Sequence, residues 1–362
     1  MPSSASNQTR LFTFRSAGWV LLLSGLFTTA IVVWALAGAL LRPGPPLVGD
    51  GRNVDTYGFD LTTCLVVRDQ IVAGGLRKDA LRALVDPPTI LGDEVTGINA
   101  KLYGKYLVSA DRVIGVTVNG ESRAYPIQIL NVHEIVNDTL GGVPIAVTYN
   151  PLCDSAVVFE RHVGDKTLEF GVSGLLYNSN LLMFDRRPDA QGESLWSQLL
   201  CKAIAGPAAG SDRRLRVLHA SLVSWADWLS RHPQTTVLDL DVTRFKRYQE
   251  TRSRYDDYLR SSKLMFSVDP PPPADGPASK DRVLAVTANG VRAVYALSDI
   301  AERANTNGIW TTTLGNSTLH FHYRDDPETV VVTSEGSDAA LQVIYALWFA
   351  WHAIWPEDVP RQ

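Results

Sequence analysis

From Ser16 to Leu41 the chain carries no charged side chain, and a run of that length is enough to cross a hydrocarbon core of about 30 Å. Arg10 and Arg15 precede it without an acid, an asymmetry that places the N-terminus in the cytoplasm and everything beyond Leu41 outside. The pattern predicts a cytoplasmic segment over 1–16 and a transmembrane anchor over 17–41. Ala35-Leu36-Ala37 has the small-residue spacing of a signal-peptidase site, the competing reading. The length of the apolar run and the tryptophans at both of its ends, Trp19 and Trp34, favour an uncleaved anchor. Pro43, Pro45 and Pro46 then break any helix, and residues 42–60 read as a stalk.

Past the stalk the periodicity changes to short alternating runs, and one set of them occurs twice. Asp111-Arg112-Val113-Ile114-Gly115-Val116-Thr117-Val118-Asn119-Gly120 answers Asp281-Arg282-Val283-Leu284-Ala285-Val286-Thr287-Ala288-Asn289-Gly290 at a shift of 170, which Tyr125 and Tyr295 keep. Each copy predicts a strand, an Asn-Gly turn, a second strand and a short helix, with Pro126 in the first helical turn of the first copy. A second hairpin follows. Leu140-Gly141-Gly142 answers Leu314-Gly315-Asn316, and the alternation of Ile145, Val147 and Tyr149 predicts a half-buried return strand. Near their ends the copies meet again, where Trp225-Ala226-Asp227-Trp228 with Pro233 answers Trp348-Phe349-Ala350-Trp351 with Pro356. That correspondence makes the uncharged stretch from Ala339 to Trp355 a buried element of the fold and not a second span.

The shift drops from 174 to 123 between these matches, so the first copy holds about fifty residues that the second lacks, between Tyr149 and Trp225. Ser155 to Arg161, Thr167 to Ser173 and Leu181 to Asp185 predict strands in that insertion. The polar stretch Arg244 to Lys263 and the run Asp269-Pro270-Pro271-Pro272-Pro273 read as a solvated connecting segment with a Pro-rich linker. The expected fold is a β-rich α+β class: two unequal copies of a strand-hairpin-helix unit behind one N-terminal transmembrane helix. Its boundaries are a first half over 61–240, a connecting segment over 241–280 and a second half over 281–362.

Composition narrows the function classes. In 362 residues, 34 basic and 38 acidic side chains leave a net charge of −4, and no overall positive field marks nucleic acid as a partner. Three cysteines exclude a disulfide scaffold. Neither a P-loop, a dinucleotide fingerprint, a calcium loop nor a His-Glu-x-x-His helix occurs, and the sequence identifies no cofactor.

Ala124-Tyr125-Pro126-Ile127-Gln128-Ile129-Leu130-Asn131-Val132-His133-Glu134-Ile135-Val136-Asn137-Asp138 resembles the bacterial family called domain of unknown function 3179. So do Thr148-Tyr149-Asn150-Pro151-Leu152-Cys153, the stretch Phe170 to Asn180, and Ser194-Leu195-Trp196-Ser197-Gln198, and the resemblance extends from about Ile71 to Pro356. It implies a domain and transfers no activity. Many members have Cys-Pro-Leu-Cys where this chain has Asn150-Pro151-Leu152-Cys153, so the local dithiol of that pattern is absent here.

The candidate catalytic residues are His133, Glu134, Cys153 and Ser173. The first three are also the candidate metal ligands, with Cys153 as thiolate, His133 as co-ligand or base and Glu134 orienting it. Ser173 lies between Gly171 and Gly174, a spacing that departs from the Gly-x-Ser-x-Gly elbow. Asn137, Tyr177, Asn178, Trp196, Ser197 and Gln198 are candidate ligand-binding residues, polar groups beside aromatics. His320 and His322 alternate along one strand face without an evident third ligand. Three classes follow: a membrane-anchored extracytoplasmic binding module for a small ligand or an envelope protein; a metal-binding or redox protein using His133, Glu134 and Cys153; and a hydrolase or transferase with Ser173 or Cys153 as nucleophile.

Overall fold

A computed structural model describes residues 23–29, 48–101, 105–188, 192–239, 245–335 and 341–361. Two units are distinguished, Met1–Leu47 and Val48–Gln362. In the first, residues 23–29 are helical, and the remainder of the expected 17–41 span lies outside the described residues. Among the described residues no helix is long and apolar enough to cross a membrane.

The second unit begins inside the expected stalk. Val54–Tyr57 form a 3-10 turn capped by Asn53, and Tyr57 is fully buried with its hydroxyl donating to the Leu76 carbonyl at 2.5 Å. Residues 48–60 therefore pack onto the body, because one aromatic side chain gains a complete apolar surround that a free stalk would deny it.

The first hairpin is β1 (Arg112–Val118) and β2 (Glu121–Pro126), followed by helix α1 (Ile127–His133) and a second hairpin, β3 (Ile135–Leu140) and β4 (Val143–Asn150). Asn119 and Gly120 both have positive φ, the two-residue turn that matches strand twist. Pro126 ends β2 and caps α1 instead of entering its first turn. The inserted strands are β5 (Ser155–Glu160), β6 (Phe170–Tyr177), β7 (Asn180–Asp185), β8 (Leu195–Ser197) and β9 (Lys202–Ala205). The first half closes with β10 (Val217–Leu218), β11 (Ala220–Ser224) and α2 (Trp225–Arg231). Trp228 of α2 lies so close to Gly115 of β1 that a Cβ there would meet the indole at 2.2 Å, so the helix seats on the strand only over glycine.

Residues 245–260, expected to be a solvated connection, form a helix instead, α3 (Phe245–Arg260). The second half repeats the order of elements: β12 (Arg282–Ala288), β13 (Val291–Ala296), α4 (Leu297–Arg303), β14 (Ile309–Leu314), β15 (Ser317–Arg324), β16 (Thr329–Ser334), β17 (Leu341–Leu347) and α5 (Trp348–Ile354). Details recur as well. Trp225 and Trp348 each donate a backbone N–H to the carbonyl of the aspartate preceding the arginine, Asp111 and Asp281, both at 2.8 Å.

The largest sheet has the order β13-β12-β17-β5-β4-β3 with Leu84–Val85 at its edge, so strands of both halves share one ladder through β17 and β5. Its two faces carry separate cores. Val136, Val147, Val158 and Leu284 point to one, with Leu222 and Phe321, while Ile135, Ala146, Val157 and Val283 point to the other, with Phe170, Leu182 and Trp348. β4 is accordingly buried on both faces from Ile145 to Asn150 and not half-buried, because the inserted sheet, order β6-β7-β8-β9, contributes to the second core. The architecture is β-rich and of the α+β class.

Candidate functional site

α1 is a short helix in which every residue is buried, yet Gln128 and Asn131 are polar and three apart, and Glu134 follows at the same spacing as its C-cap. Residues spaced by three lie along one side of a helix, so these form a stripe. Opposite them runs α3, where Tyr248, Tyr255 and Tyr258 recur at helical spacing and Tyr248 and Tyr258 are buried. That periodicity explains why such a charged segment folds here: its tyrosine face is an apolar surface that it has to place, and α1 packs against the helix.

Glu134 occupies the position after the last helical turn with φ +56 and ψ −31, a left-handed conformation in which glycine is usual, and its N–H donates to the Leu130 carbonyl at 2.8 Å. A non-glycine residue there stores on the order of 1–2 kcal/mol of strain. Among the described residues nothing pairs with its carboxyl, and burial pushes it up to about 8. A nearby group capable of holding a proton near neutrality is chemically useful because it can give or take one without a large penalty. Burial raises the Tyr255 phenol to about 12, with a smaller push from the nearby Glu134 carboxyl, which acts in the same direction on the Cys153 thiol.

His133 faces elsewhere. Its Nδ1 donates to the Arg82 carbonyl at 2.6 Å, and its Nε2 lies 3.4 Å from the Tyr248 hydroxyl. Cys153 is fully buried, points its thiol at the Ser179 carbonyl at 3.2 Å, and is driven far up by desolvation, the opposite of what a nucleophilic thiolate needs. Asn150, in the place of the family's first cysteine, accepts from the Leu152 amide at 2.8 Å and so fixes the turn that carries Cys153. Cys64, Cys153 and Cys201 are all free thiols. Among the described residues no group of three or more His, Cys, Asp or Glu side chains is arranged to hold a metal.

Beside Cys153, Asp154 is the electrostatic centre of the region. It accepts from two arginines that correspond in the matching stretches of sequence, Arg112 Nη1 at 2.9 Å and Arg282 Nε at 2.8 Å, and from the Tyr149 hydroxyl at 2.6 Å. These partners outweigh its burial and hold the carboxyl well below the usual range. Arg282 also reaches Glu328 at 3.0 Å.

Between α1, α3 and this cluster lies a crevice of about 240 Å³ lined by Arg112, Arg282, Tyr149, Tyr255, Gln128 and Asn131, among others. Gln128 Nε2 donates to the Tyr106 carbonyl, which fixes the amide's orientation. That leaves Gln128 Oε1, and likewise Asn131 Oδ1, buried with no hydrogen-bond partner. A buried acceptor without a donor costs roughly 1–3 kcal/mol, and two on one wall of one cavity mark it out. A larger cavity of about 610 Å³ is lined by Thr117, Arg216, Trp228, Arg231 and His232, among others. There Arg216 is held by Glu160, Arg231 by Asp227, and Thr117 and His232 by Ser122.

The remaining sequence candidates are tied into the fold by hydrogen bonds and burial. Ser173 sits at the register shift of β6, donates to the Leu182 carbonyl and accepts from the Leu175 amide, with no exposed surface. Asn137 ties β3 to β6 by exchanging hydrogen bonds of 2.8 Å with the backbone of Phe170. Trp196 donates to Asp185, Ser197 accepts from the Leu200 amide, and Gln198 bonds Ser155, Asn180 and Thr148 in a closed network, all three candidates being buried. Asn178 and Ser179, both at positive φ in the β6–β7 turn, grip the chain's own connecting segment: Asn178 exchanges bonds with the backbone of Asp269, and Ser179 donates to the Phe266 carbonyl. Tyr177 lies buried beside them. His320 and His322 are bound to Thr311 and Thr333 within their own sheet.

The structure thus brings Glu134 and Cys153 within electrostatic reach and turns His133 toward Tyr248. It puts Ser173, Trp196, Ser197 and Gln198 into the core. Sequence reading missed Gln128, Asn131, Arg112, Arg282 and Tyr255. The readable signal was the pair of stripes, polar at three-residue spacing in an apolar helix and aromatic at helical spacing in a charged one.

The family model for proteins of unknown function designated DUF3179 matches residues 88–343, which include α1, α3, the insertion and most of the second half. No curated protein and no solved structure matches the chain.

Proposed function

The chain belongs to the DUF3179 family, whose description assigns no activity, and from the site itself we propose that it is a binding module for a small polar ligand held in the α1–α3 crevice. The observation that carries this reading is the pair of buried, unpartnered carbonyl oxygens of Gln128 and Asn131 on a cavity also lined by Arg112 and Arg282. The alternatives have less support: the Cys153 thiol is held protonated, Ser173 is fully engaged by backbone groups, and His133 turns to Arg82.

The setting we propose is a single-pass membrane protein anchored through 17–41, with 1–16 cytoplasmic and the remainder extracytoplasmic. The charge asymmetry around Ser16–Leu41 supports it. We take the two halves, 61–240 and 281–362, to be unequal copies of one unit, joined by 241–280. The recurrence of element order, of the Asn-Gly turns and of the Asp-Arg pair supports that descent, with the roofing helix α3 supplied by the connecting segment.

The test is thermal unfolding of the full chain with representative neutral, cationic and anionic small molecules, beside Gln128→Met and Asn131→Leu. At least one compound should raise the wild-type midpoint and leave both variants unmoved. If none raises it, or the variants respond as wild type does, the crevice is not a ligand site.

A further inference from the structure

The occupant of the crevice can be narrowed by its chemistry, an inference that rests on the reading above. Of the lining groups, two are carboxylates, Asp111 and Asp256, and two are guanidiniums, Arg112 and Arg282, so the formal charges cancel. Both guanidiniums are already satisfied by Asp154, and Arg282 by Glu328 as well, while Asp111 accepts from the Val108 amide at 2.8 Å. A charged ligand would lose its hydration and find no free counter-charge, a balance that disfavours ions.

The unpaired groups set a second condition. Gln128 Oε1 and Asn131 Oδ1 can only accept, so the occupant must bring donors, while the two paired guanidiniums leave no strong demand for an acceptor. A carboxylate ligand brings acceptors alone and an ammonium brings a charge with no free partner; a hydroxyl donates while staying neutral. The rings of Tyr149 and Tyr255 add apolar faces suited to C–H surfaces. The volume of about 240 Å³ equals the share of roughly eight liquid waters at about 30 Å³ each, the scale of a single sugar ring.

We propose that the α1–α3 crevice binds a neutral polyhydroxylated molecule of monosaccharide size, its hydroxyls donating to Gln128 and Asn131 and its ring lying against Tyr255.

The experiment is calorimetric and thermal titration of the full chain with hexoses, pentoses and inositol, alongside a primary amide, an alkylamine and a carboxylate of similar size. At least one polyol should bind. Gln128→Met and Asn131→Leu should each weaken it about tenfold or more, the loss expected for a hydrogen bond of about 1.4 kcal/mol. Tyr255→Leu, at a half-buried position where folding is less at risk, should weaken the same polyol and so keeps the test independent of core variants. If the amine, the carboxylate or the amide binds and is lost in these variants while no polyol binds, the ligand class is wrong and the crevice remains a site. If nothing in the panel binds, both readings fall.

Discussion

Burial acts on Glu134 without any opposing partner and holds its carboxyl up to about 8 from an ordinary 4.5, whereas two guanidiniums and a phenol pull Asp154 the other way. The consequences for stability have opposite signs. Asp154 stays ionised when folded, so its contribution is present above the unfolded aspartate value near 3.9 and is lost as pH falls through its lower folded value. Glu134 keeps its proton when folded while the unfolded chain gives it up above about 4.5. Folding then takes up a proton, and stability falls as pH rises toward about 8, by at most ~1.4 kcal/mol per pH unit. Glu134→Gln removes that slope, since an amide does not titrate. Denaturant melts of the full chain at about pH 5 and about pH 8 should show the variant gaining a few kcal/mol on wild type across the interval. A constant difference between the two at both pH values would mean that Glu134 ionises normally in the folded chain.

At the level of elements, α3 marks the border of what was legible. Hairpins announced themselves because Asn119-Gly120 and Asn289-Gly290 sit between alternating apolar runs, and both pairs adopt positive φ. The strands between Tyr149 and Trp225 were expected from a change of shift between the matching stretches of sequence. α3 was not visible, since its charged composition reads as solvated and its three tyrosines acquire meaning only against the polar stripe of α1, a partner more than a hundred residues away in sequence. The same reason hid the crevice: Gln128 and Asn131 become conspicuous only when burial removes water from them. Conversely, Trp196, Ser197 and Gln198 looked like loop polarity, because the sequence does not show that Asn180, Ser155 and Thr148 converge to satisfy Gln198. A helix of sixteen residues with so polar a face has little stability by itself, so its place depends on the tyrosine contacts. Tyr258 donates to the Leu152 carbonyl at 3.1 Å and carries Lys280 over its ring. Tyr258→Ala should therefore lower the opening free energy of 245–260 by about 2 kcal/mol, seen as amide exchange roughly 30-fold faster there. Exchange in β1 and β2 should not change. Equal acceleration in helix and strands would show that α3 is part of the cooperative core and not a separately opening roof.

Across the whole second unit, the halves are interlocked rather than set side by side. β17 of the second half pairs with β5 of the first, and β16 of the second packs beside β11 of the first, so each half completes the other's strand layers. The arginines repeat this at the scale of one carboxylate, Arg112 from one half and Arg282 from the other closing on Asp154. Separation would leave β17 with an unpaired edge, and it would take from Arg282 its buried partner Asp154 and leave it only the more exposed Glu328. The recurrence of the 111–126 pattern in 281–296 would suggest that 281–362 can fold alone; the interlock argues that it cannot. Expressed in isolation, that segment should give the narrow amide dispersion of an unfolded chain in a proton–nitrogen correlation spectrum. Addition of a fragment covering 48–280 should restore dispersed resonances. A cooperative melt of the isolated segment would show that the contacts of β17 and Arg282 with the first half are dispensable, leaving the shared sheet as a docking of two self-sufficient units.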